Sequence, residues 1–234
     1  MTGTSVVIPI RGVHGGKSRL SPLLNPSERA TLIASMANGV IEAVKGSGVA
    51  DSILVVSREP DLFHYLGTST SDVTLMIQPA YSIGLNAAID LGHHEALERD
   101  SDRIMVLSAD LPLLTARSVS DFLRQEASTD VILGMDRVGL GTNGLLLQGR
   151  AAMSQFSFHF GVDSRRLHRE EAARIGAGFG ERCAHGIALD LDTPDDWAML
   201  SEEMRRQLLT PSYTLRHPSL GAARTAPVAL LERA

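Results

Sequence analysis

Residues 103–112, RIMVLSADLP, are the stretch that decides the fold class of this sequence. They begin as a short apolar run and end in a polar turn that contains Asp110 and Pro112. Runs of this length, bounded by turn-forming residues, are typical of buried β-strands. Two similar runs, residues 5–10 (SVVIPI) and 52–57 (SILVVS), come earlier, and amphipathic segments separate the three. This alternation predicts an α/β fold, with a mostly parallel, twisted sheet and helices on both faces.

The segments between the apolar runs carry helix start and stop signals. Asn25 is a candidate N-cap, Pro26 suits the first helical position, and Glu28 completes a capping box. Apolar residues then repeat at a spacing of three and four until Gly46 and Gly48, which are expected to end the helix. Further helices are predicted over 60–66, 84–98, 115–125, 163–175 and 193–206, and further strands over 73–77, 131–135, 145–148 and 187–192.

Length and composition set the domain organisation. The chain has 234 residues, of which 44% are hydrophobic, and a net charge of −5. This length is enough for one large domain with a substantial core. From Thr210 onward, three prolines occur among small residues without any periodicity. We therefore predict a single domain over residues 1–209 and a C-terminal tail or arm over 210–234.

Composition also excludes several classes of protein. The single cysteine, Cys183, excludes an internal disulfide framework and a cysteine-rich zinc site, and it suits a reducing cytoplasm. The absence of a basic block argues against a nucleic-acid-binding protein. The apolar runs near the N-terminus are too short to cross a membrane. We expect a cytoplasmic protein that binds neither nucleic acid nor membrane.

Two apparent nucleotide motifs do not meet the requirements of their mechanisms. Residues 16–18 (GKS) resemble the end of a P-loop, but the glycine required five residues earlier is replaced by Arg11. Residues 139–144 (GLGTNG) match the dinucleotide pattern as a string. They lie between two predicted strands, with no helix after them to receive a phosphate. Neither motif is accepted.

The loop after the first strand has the composition of a phosphate-binding loop. Glycines let the backbone approach a ligand closely, and Arg11, Lys17 and Arg19 supply positive charge. Guanidinium and ammonium groups are common partners of phosphate oxygens. A flexible surface loop with ordinary solubilising charges is the alternative, and the loop alone does not decide between them.

Three carboxylates follow the ends of predicted strands. Asp110 comes directly after an apolar strand, and Asp190 and Asp192 are two residues apart on the predicted strand 187–192, so they share a face. A pair of neighbouring carboxylates repel unless a cation lies between them or one is protonated. A turn-forming aspartate and a solvent-facing pair are the alternatives. Because ligands of parallel sheets bind beyond the carboxyl ends of strands, these groups should converge with the cationic loop on a metal-bridged nucleoside triphosphate.

These pieces occur together with further motifs, in an order and spacing that resemble a known family. The family is that of 2-phospholactate guanylyltransferases of coenzyme F-420 biosynthesis, whose relatives use phosphoenolpyruvate or 3-phosphoglycerate. The resemblance covers roughly residues 5–200 and is specific as a set. The motifs are Pro9 with residues 17–22 (KSRLSP), 84–86 (GLN), 109–113 (ADLPL), 141–143 (GTN), Phe160-Gly161 with Ser164, and 189–194 (LDLDTP).

The resemblance implies a nucleotidyltransferase (Rossmann-like) fold and an enzyme. The implied reaction joins GMP from GTP to a small phospho-carboxylate and releases pyrophosphate. It implies Mg²⁺ as the cofactor, and GTP and the phospho-carboxylate as the partners. The implied catalytic residues are Lys17, Arg19 and Asp110, and the implied metal ligands are Asp110, Asp190 and Asp192. The acceptor-binding residues are Thr142, Gly161 and Ser164. The nucleotide-binding residues, with Arg11 added from the loop, are Arg11, Lys17, Arg19, Gly84 and Asn86.

Other functions remain open at this point. A related nucleotidyltransferase could act on a different acceptor, such as a molybdopterin or a sugar phosphate. A nucleotide-binding regulatory module could keep the fold without the chemistry, although the three carboxylates argue against it. A homodimer through the strand pair of residues 131–148 and the tail is a further possibility.

Overall fold

The computed structural model describes residues 3–67, 71–124 and 129–211. Strands and helices alternate through most of this range, as the sequence predicts. The strands are β1 (Thr4–Ile10), β2 (Ser52–Ser57), β3 (Val73–Ile77), β4 (Arg103–Leu107), β5 (Val131–Met135), β6 (Thr142–Gln148) and β7 (Phe179–Arg182). The helices are α1 (Pro26–Ser47), α2 (Leu62–Tyr65), α3 (Leu85–Glu98), α4 (Ala116–Leu123), α5 (Arg150–Gln155), α6 (Ser164–Arg174), α7 (His185–Ala188), α8 (Pro194–Met199) and α9 (Glu202–Leu209).

The strands form one seven-stranded sheet in the order β3-β2-β1-β4-β6-β5-β7. Strand β6 runs antiparallel to its neighbours β4 and β5, and the other four pairings are parallel. The carboxyl ends of β1, β2, β3 and β4 therefore lie along one edge, where loops can converge on a ligand. The predicted mostly parallel α/β sheet is confirmed.

Side chains alternate between two cores along the central strands. In β1, Val6 and Ile8 pack on one face with α1 and α4, whereas Val7 packs on the other face with α3. Helix α3 approaches the sheet so closely that a Cβ at Gly92 would lie 2.5 Å from Val7 Cγ1. Burial on both faces explains why these strands read as continuous apolar runs.

The predicted start and end of the longest helix are confirmed. The Asn25 side chain accepts the Glu28 N–H, and the Glu28 carboxylate accepts the Asn25 N–H, so the capping box is complete. Gly48 ends α1 with φ of +64°, in the left-handed region that glycine adopts readily. Residues of α1 such as Leu32 and Met36 join a third core cluster with Trp197 of α8.

The predicted strand over 187–192 is wrong. Part of it is helix α7, and the remainder is extended chain without a strand partner. The edge of the sheet beside β5 is taken by β7, residues 179–182, which was not predicted. Its sequence, FGER, is short and only half-buried, so it lacks the apolar run that identifies the other strands.

The predicted helix over 193–206 is two helices. The chain is extended at Leu200 (ψ 145°), and the Ser201 side chain accepts the Met204 N–H to start α9. A local N-cap at Ser201 therefore competes successfully with continuation of the helix.

Parts of other predictions fall outside the described residues. These are residue 125, the predicted end of the helix that begins after Thr115, and residues 212–234 of the predicted tail. The boundary between domain and tail stays a prediction. Within the ranges that the structure describes, no helix combines the length and hydrophobicity needed to cross a bilayer.

Candidate active site

The loop after β1 folds around a carboxylate from the connection after β2. The Glu59 side chain accepts the backbone N–H groups of Val13 (3.0 Å) and His14 (3.4 Å). A Cβ at Gly12, whose φ is +145°, would lie 2.3 Å from Glu59 Oε1, so glycine is needed for this close approach. Lys17 also has a left-handed backbone, with φ of 52°. The loop thereby turns back and presents Lys17 at the edge of the sheet.

The Lys17 ammonium group links two carboxylates from distant parts of the chain. Nζ donates to Asp110 Oδ2 and to Asp192 Oδ1, each at 2.6 Å. Burial by itself lowers the pKa of Lys17, but the charges of the two carboxylates and the hydrogen bonds to them outweigh this, so the pKa is raised. Lys17 is therefore charged at neutral pH, although its side chain is only 10% exposed.

Asp190 contributes a third carboxylate beside this pair. Its side chain accepts a hydrogen bond from Asn143 Nδ2 at 3.2 Å. Burial raises the pKa of Asp190, the bond from Asn143 opposes this, and the negative charges of Asp110 and Asp192 raise it further. We call these four ionisable side chains, Lys17, Asp110, Asp190 and Asp192, the cation–carboxylate cluster. Lys17 bonds to two of the three carboxylates, so the cluster has an excess of negative charge when all three are ionised.

The structure brings together the three carboxylates that the sequence singled out. Asp190 and Asp192 lie on an extended segment after α7 and not on the predicted strand. The Leu191 N–H donates to the Asp110 carbonyl at 3.1 Å, which ties the extended segment after α7 to the turn after β4. Leu191 is fully buried, so Asp190 and Asp192 on either side of it point away from the core.

Among residues 3–67, 71–124 and 129–211, no three or more carboxylate, histidine or cysteine side chains are arranged to hold a metal ion. Asp110 and Asp192 are turned toward Lys17 instead. The donor chemistry nevertheless suits a hard cation, because carboxylate oxygens are the ligands that Mg²⁺ prefers. The predicted role of these carboxylates as magnesium ligands stays a prediction.

A cleft of about 590 Å³ opens beside the cluster, at the carboxyl ends of β1 and β4. This volume is in the range of small-molecule binding sites. One part of the lining is charged and the other is apolar, which suits a ligand with both phosphates and a flat ring. The charged part consists of Arg11, Lys17, Arg58, Asp110 and Asp192, and the apolar part includes Ile83, Leu85, Ala88 and Phe160.

The residues predicted to bind the nucleotide occupy different places. Arg11 and Gly84 line the cleft. Arg19 is exposed on a short 3-10 turn and lies outside the cleft lining. Asn86 also lies outside the cleft lining. Its side chain accepts the Phe160 N–H (2.8 Å) and donates to the Phe160 carbonyl (3.1 Å). Asn86 thus holds in place a residue that does line the cleft.

The three residues predicted to bind the acceptor lie at or near the first turn of α6. Thr142 begins β6, and its Oγ1 is 3.0 Å from His168 Nδ1. Ser164 begins α6 and is 2% exposed. Gly161 has φ of +126°, and a Cβ there would meet no atom within 4 Å outside its immediate neighbours, so this position faces open space. Gly161 follows directly after Phe160, which connects this group to the cleft.

Two sets of hydrogen bonds lie side by side along α6, and His159, whose Nε2 is 3.8 Å from Glu171 Oε2, lies between them. His168 Nε2 accepts the His159 N–H at 2.9 Å, and Arg174 donates to both carboxylate oxygens of Glu171. Burial lowers the pKa of His168 to about 3, and the bonds from Arg174 lower that of Glu171 to about 2 despite its own burial. We call the side chains of Thr142, His168, Glu171 and Arg174, with the backbone of His159, the histidine network.

The sequence reasoning missed four residues of the site. Gln78, Arg58 and Ser108 line the cleft and directly follow β3, β2 and β4. Applying the strand-end rule to every strand would have found these three. His168 gives no comparable signal, because a histidine on a polar helix is unremarkable until its contact with Thr142 is known.

Solved structures of other proteins share this architecture. A nucleotidyl transferase from Methanothermobacter is 18% identical, with a TM-score of 0.61 over 87% of this chain and 98% of that one. A 4-diphosphocytidyl-2C-methyl-D-erythritol synthase from Anaerococcus prevotii is 10% identical, with a TM-score of 0.57 over 89% and 97%. At these identities the likeness establishes the nucleotidyltransferase fold.

Sequence relatives are more similar and cover most of the chain. The phosphoenolpyruvate guanylyltransferase of Sphaerobacter thermophilus is 31% identical over 82% of this chain and 90% of its own length. The 3-phospho-D-glycerate guanylyltransferase of Phenylobacterium zucineum is 32% identical over 81% and 86%. The 2-phospho-L-lactate guanylyltransferase of Methanothermobacter thermautotrophicus is 30% identical over 82% of both.

The model of one protein family matches residues 4–207, which includes every residue of the cation–carboxylate cluster and of the histidine network. The chain therefore belongs to the family described as guanylyl transferase CofC like.

Proposed function

We propose that this protein transfers the GMP part of GTP to the phosphate of a small phospho-carboxylate and releases pyrophosphate. The observation that carries the proposal is the cation–carboxylate cluster, in which Lys17 joins Asp110 and Asp192 at the mouth of a cleft with an apolar wall. Guanylyltransferase relatives over most of the chain support the choice of nucleotide and acceptor class.

The proposed step is an in-line displacement. A phosphate oxygen of the acceptor forms a bond to the α-phosphorus of GTP, and the bond from that phosphorus to the oxygen bridging to the β-phosphorus breaks. The electron pair leaves with pyrophosphate. Because the attacking phosphate is already an anion, the step needs alignment and charge neutralisation rather than a strong base.

Cationic side chains of the cleft would supply much of that neutralisation. Arg11 and Arg58 line the same cleft as Lys17, which gives three positive charges near the expected triphosphate. Arg19 belongs to the proposal on the strength of the resemblance and its place beside this loop. The apolar wall formed by Ile83 and neighbouring residues would hold the nucleoside.

Magnesium is part of the proposal, with Asp110, Asp190 and Asp192 as the residues that would hold it. The excess negative charge of the cluster supports this assignment, since a second cation would offset it. When bound, Mg²⁺ would neutralise charge on the phosphates. Two of these carboxylates, Asp110 and Asp192, form ion pairs with Lys17.

Thr142, Gly161 and Ser164 would form the subsite for the acceptor. The positive end of the dipole of an eleven-residue helix favours an anion, and α6 begins at Ser164. The Ser164 and Arg165 N–H groups already donate to the Gly161 and Leu140 carbonyls, so side-chain groups such as the Thr142 hydroxyl would donate to the acceptor. An open position at Gly161 leaves room for a small molecule. We place this reaction in coenzyme F-420 biosynthesis and in the cytoplasm, with a homodimer as a further possibility. Strands β5 and β6 are both interior to the sheet, so a dimer would have to use other surfaces of that region.

The test is product formation from GTP and Mg²⁺ with 2-phospholactate, phosphoenolpyruvate and 3-phosphoglycerate in parallel, followed by mass spectrometry and pyrophosphate release. We expect a guanosine diphospho-carboxylate with at least one of the three. ATP, CTP and UTP, a molybdopterin and a sugar phosphate serve as comparison substrates. Product only with these would assign a different nucleotidyltransferase reaction, and tight GTP binding without pyrophosphate release would indicate a regulatory module.

A further inference from the structure

His168 lies at the centre of the histidine network, between the acceptor residues and the segment that leads to the cleft. The residue is fully buried. Its Nδ1 is 3.0 Å from Thr142 Oγ1, and its Nε2 is 2.9 Å from the backbone nitrogen of His159. Phe160 packs its ring edge-to-face against the imidazole, with centroids 4.9 Å apart. Both ring nitrogens therefore have a protein partner.

These two partners determine where the ring proton is. A backbone N–H can only donate, so Nε2 of His168 is the acceptor from His159 and carries no proton. A neutral imidazole has one N–H, which must then be on Nδ1. Burial and the nearby His159 lower the pKa of His168, against the opposing charge of Glu171, and keep the ring neutral at physiological pH.

The tautomer in turn determines the role of the Thr142 hydroxyl. Nδ1–H of His168 donates to Thr142 Oγ1, so this oxygen acts as an acceptor in that bond. The hydroxyl proton of Thr142 is then directed elsewhere and can serve as a donor. A threonine without such a partner could rotate and present either its proton or a lone pair.

Thr142 is held next to the start of α6. The Arg165 N–H donates to the Leu140 carbonyl at 3.1 Å, which attaches the first turn of α6 to the turn before β6. Ser164 and His168 are four residues apart and are both buried, so they share one face of the helix. The Thr142 hydroxyl therefore lies beside the N-terminal part of α6.

We propose that His168 is a positioning residue that directs the Thr142 hydroxyl proton away from itself and toward an anionic oxygen, carboxylate or phosphate, of the acceptor. This inference rests on the proposed function, because it assumes that the acceptor binds at the start of α6. It assigns His168 no contact with the acceptor. His168 acts through Thr142 and favours a ligand group that accepts a hydrogen bond from this hydroxyl.

Two amide substitutions separate this role from a purely structural one. In His168→Asn the amide nitrogen can replace Nδ1 as the donor to Thr142, while the acceptor for the His159 N–H is lost. In His168→Gln the amide oxygen can replace Nε2, while the donor to Thr142 is lost. The two variants thus each remove one of the two hydrogen bonds.

The measurement is steady-state kinetics with each substrate varied in turn, using the acceptor that the wild-type protein guanylylates. We expect His168→Gln to raise the acceptor KM about tenfold or more, since an oriented donor to an anion is lost, and to leave the GTP KM unchanged. His168→Asn should stay within about threefold of the wild type. A greater loss in the Asn variant than in the Gln variant, or an equal rise in the GTP KM, would overturn the proposal in favour of a structural role.

Thr142 provides an independent test that does not depend on whether the His168 variants fold. Thr142→Val should raise the acceptor KM as much as His168→Gln does, and the double variant should show no further loss. Thr142→Ser, which keeps the hydroxyl, should restore most of the affinity. A Thr142→Val variant with normal acceptor KM would contradict the inference. Failure of the wild type to transfer GMP to any acceptor would refute the proposed function itself.

Discussion

The cation–carboxylate cluster and the histidine network are organised in opposite ways. The cluster joins Lys17 to Asp110 and Asp192, which are 93 and 175 residues away, and its carboxylates are partly open, with Asp192 45% exposed. The network is local, since it lies largely on one helix and two short segments packed against it. Its central residue, His168, is fully buried.

This difference indicates two ways of preparing a site. The cluster carries unbalanced charge, so the arrival of a triphosphate or a cation can rearrange it. In the network, both ring nitrogens of His168 and both carboxylate oxygens of Glu171 have partners of the right kind, so the geometry of these groups is set before any ligand binds. We therefore expect substitutions in the cluster to affect chemistry more than stability, and substitutions in the network to affect stability and acceptor binding.

The largest expected effect comes from neutralising a carboxylate of the cluster. Asp190→Asn should lower guanylyl transfer about 100-fold or more, because charge stabilisation at the phosphates is lost. The free energy of unfolding should stay equal or rise at neutral pH, since the raised pKa of Asp190 means that its charge is unfavourable in the folded state.

Turnover and chemical denaturation of this variant measure the two effects. Asp195→Asn, an exposed position at the start of α8, is the control and should change neither quantity much. Near-normal transfer by Asp190→Asn would show that Asp190 is not a required ligand in the proposed metal site.

The chain has two lysines, so the same substitution at Lys45 is a matched control for removing the Lys17 ammonium group. Lys17→Met should lower kcat/KM for GTP at least about tenfold and the free energy of unfolding by about 2 kcal/mol, because Asp110 and Asp192 lose their cation. Millimolar Mg²⁺ should restore more of the Tm of this variant than it adds to the wild type. Lys45→Met, on α1, should change GTP kinetics little. Equal Mg²⁺ responses would mean that Lys17 and the metal do not share these carboxylates.

Because of the histidine network, the free energy of unfolding should decrease as the pH is lowered. The folded-state pKa of His168 is lowered from 6.5 to about 3, so the unfolded chain takes up this proton first. The contribution of neutral His168 to the free energy of unfolding is complete above pH 6.5. It is lost as the pH falls toward 3, by up to about 1.4 kcal/mol per pH unit. Glu171, lowered from 4.5 to about 2, adds a loss that begins below pH 4.5.

Comparing denaturation curves of the wild type and His168→Gln between pH 7 and pH 4.5 isolates the contribution of His168, because His93, whose pKa is also lowered by burial, is present in both. In His168→Gln the slope of unfolding free energy against pH should be smaller by up to about 1.4 kcal/mol per pH unit in this window, because one fewer proton is taken up on unfolding. The steeper region below pH 4.5, to which Glu171, Glu181 and Asp196 contribute, should remain. An unchanged slope in the upper window would show that His168 titrates normally.

The smallest expected effect concerns Phe160, which lines the cleft beside the cluster and packs against His168 of the network. Asn86→Ala removes both hydrogen bonds to the backbone of Phe160 and should lower the free energy of unfolding by about 1–2 kcal/mol. Asn86→Asp keeps the acceptor for the Phe160 N–H and loses the donor, so it should retain part of the stability. Chemical denaturation measures both variants, and a fully stable Asn86→Ala variant would show that Phe160 is held by packing alone.

Sequence periodicity predicted the elements that are buried on both faces. Strands β1, β2 and β4 have nearly continuous apolar runs, and the caps of α1 are encoded within a few residues. Such signals are local and depend little on the rest of the chain. The strand predicted over 187–192 failed because its alternation of apolar and acidic residues matches extended chain as well as a strand. Whether extended chain becomes a strand depends on a free sheet edge, and β7 occupies that edge.

The sequence by itself determined the α/β class, the ends of the parallel strands and the residue types that gather there, because strand period, capping and charge are properties of short segments. Only the tertiary structure decided that Lys17 lies between Asp110 and Asp192, and that His168 orients Thr142. These contacts join groups that are 26 to 175 residues apart, and their geometry depends on how the sheet, α6 and the loops pack together.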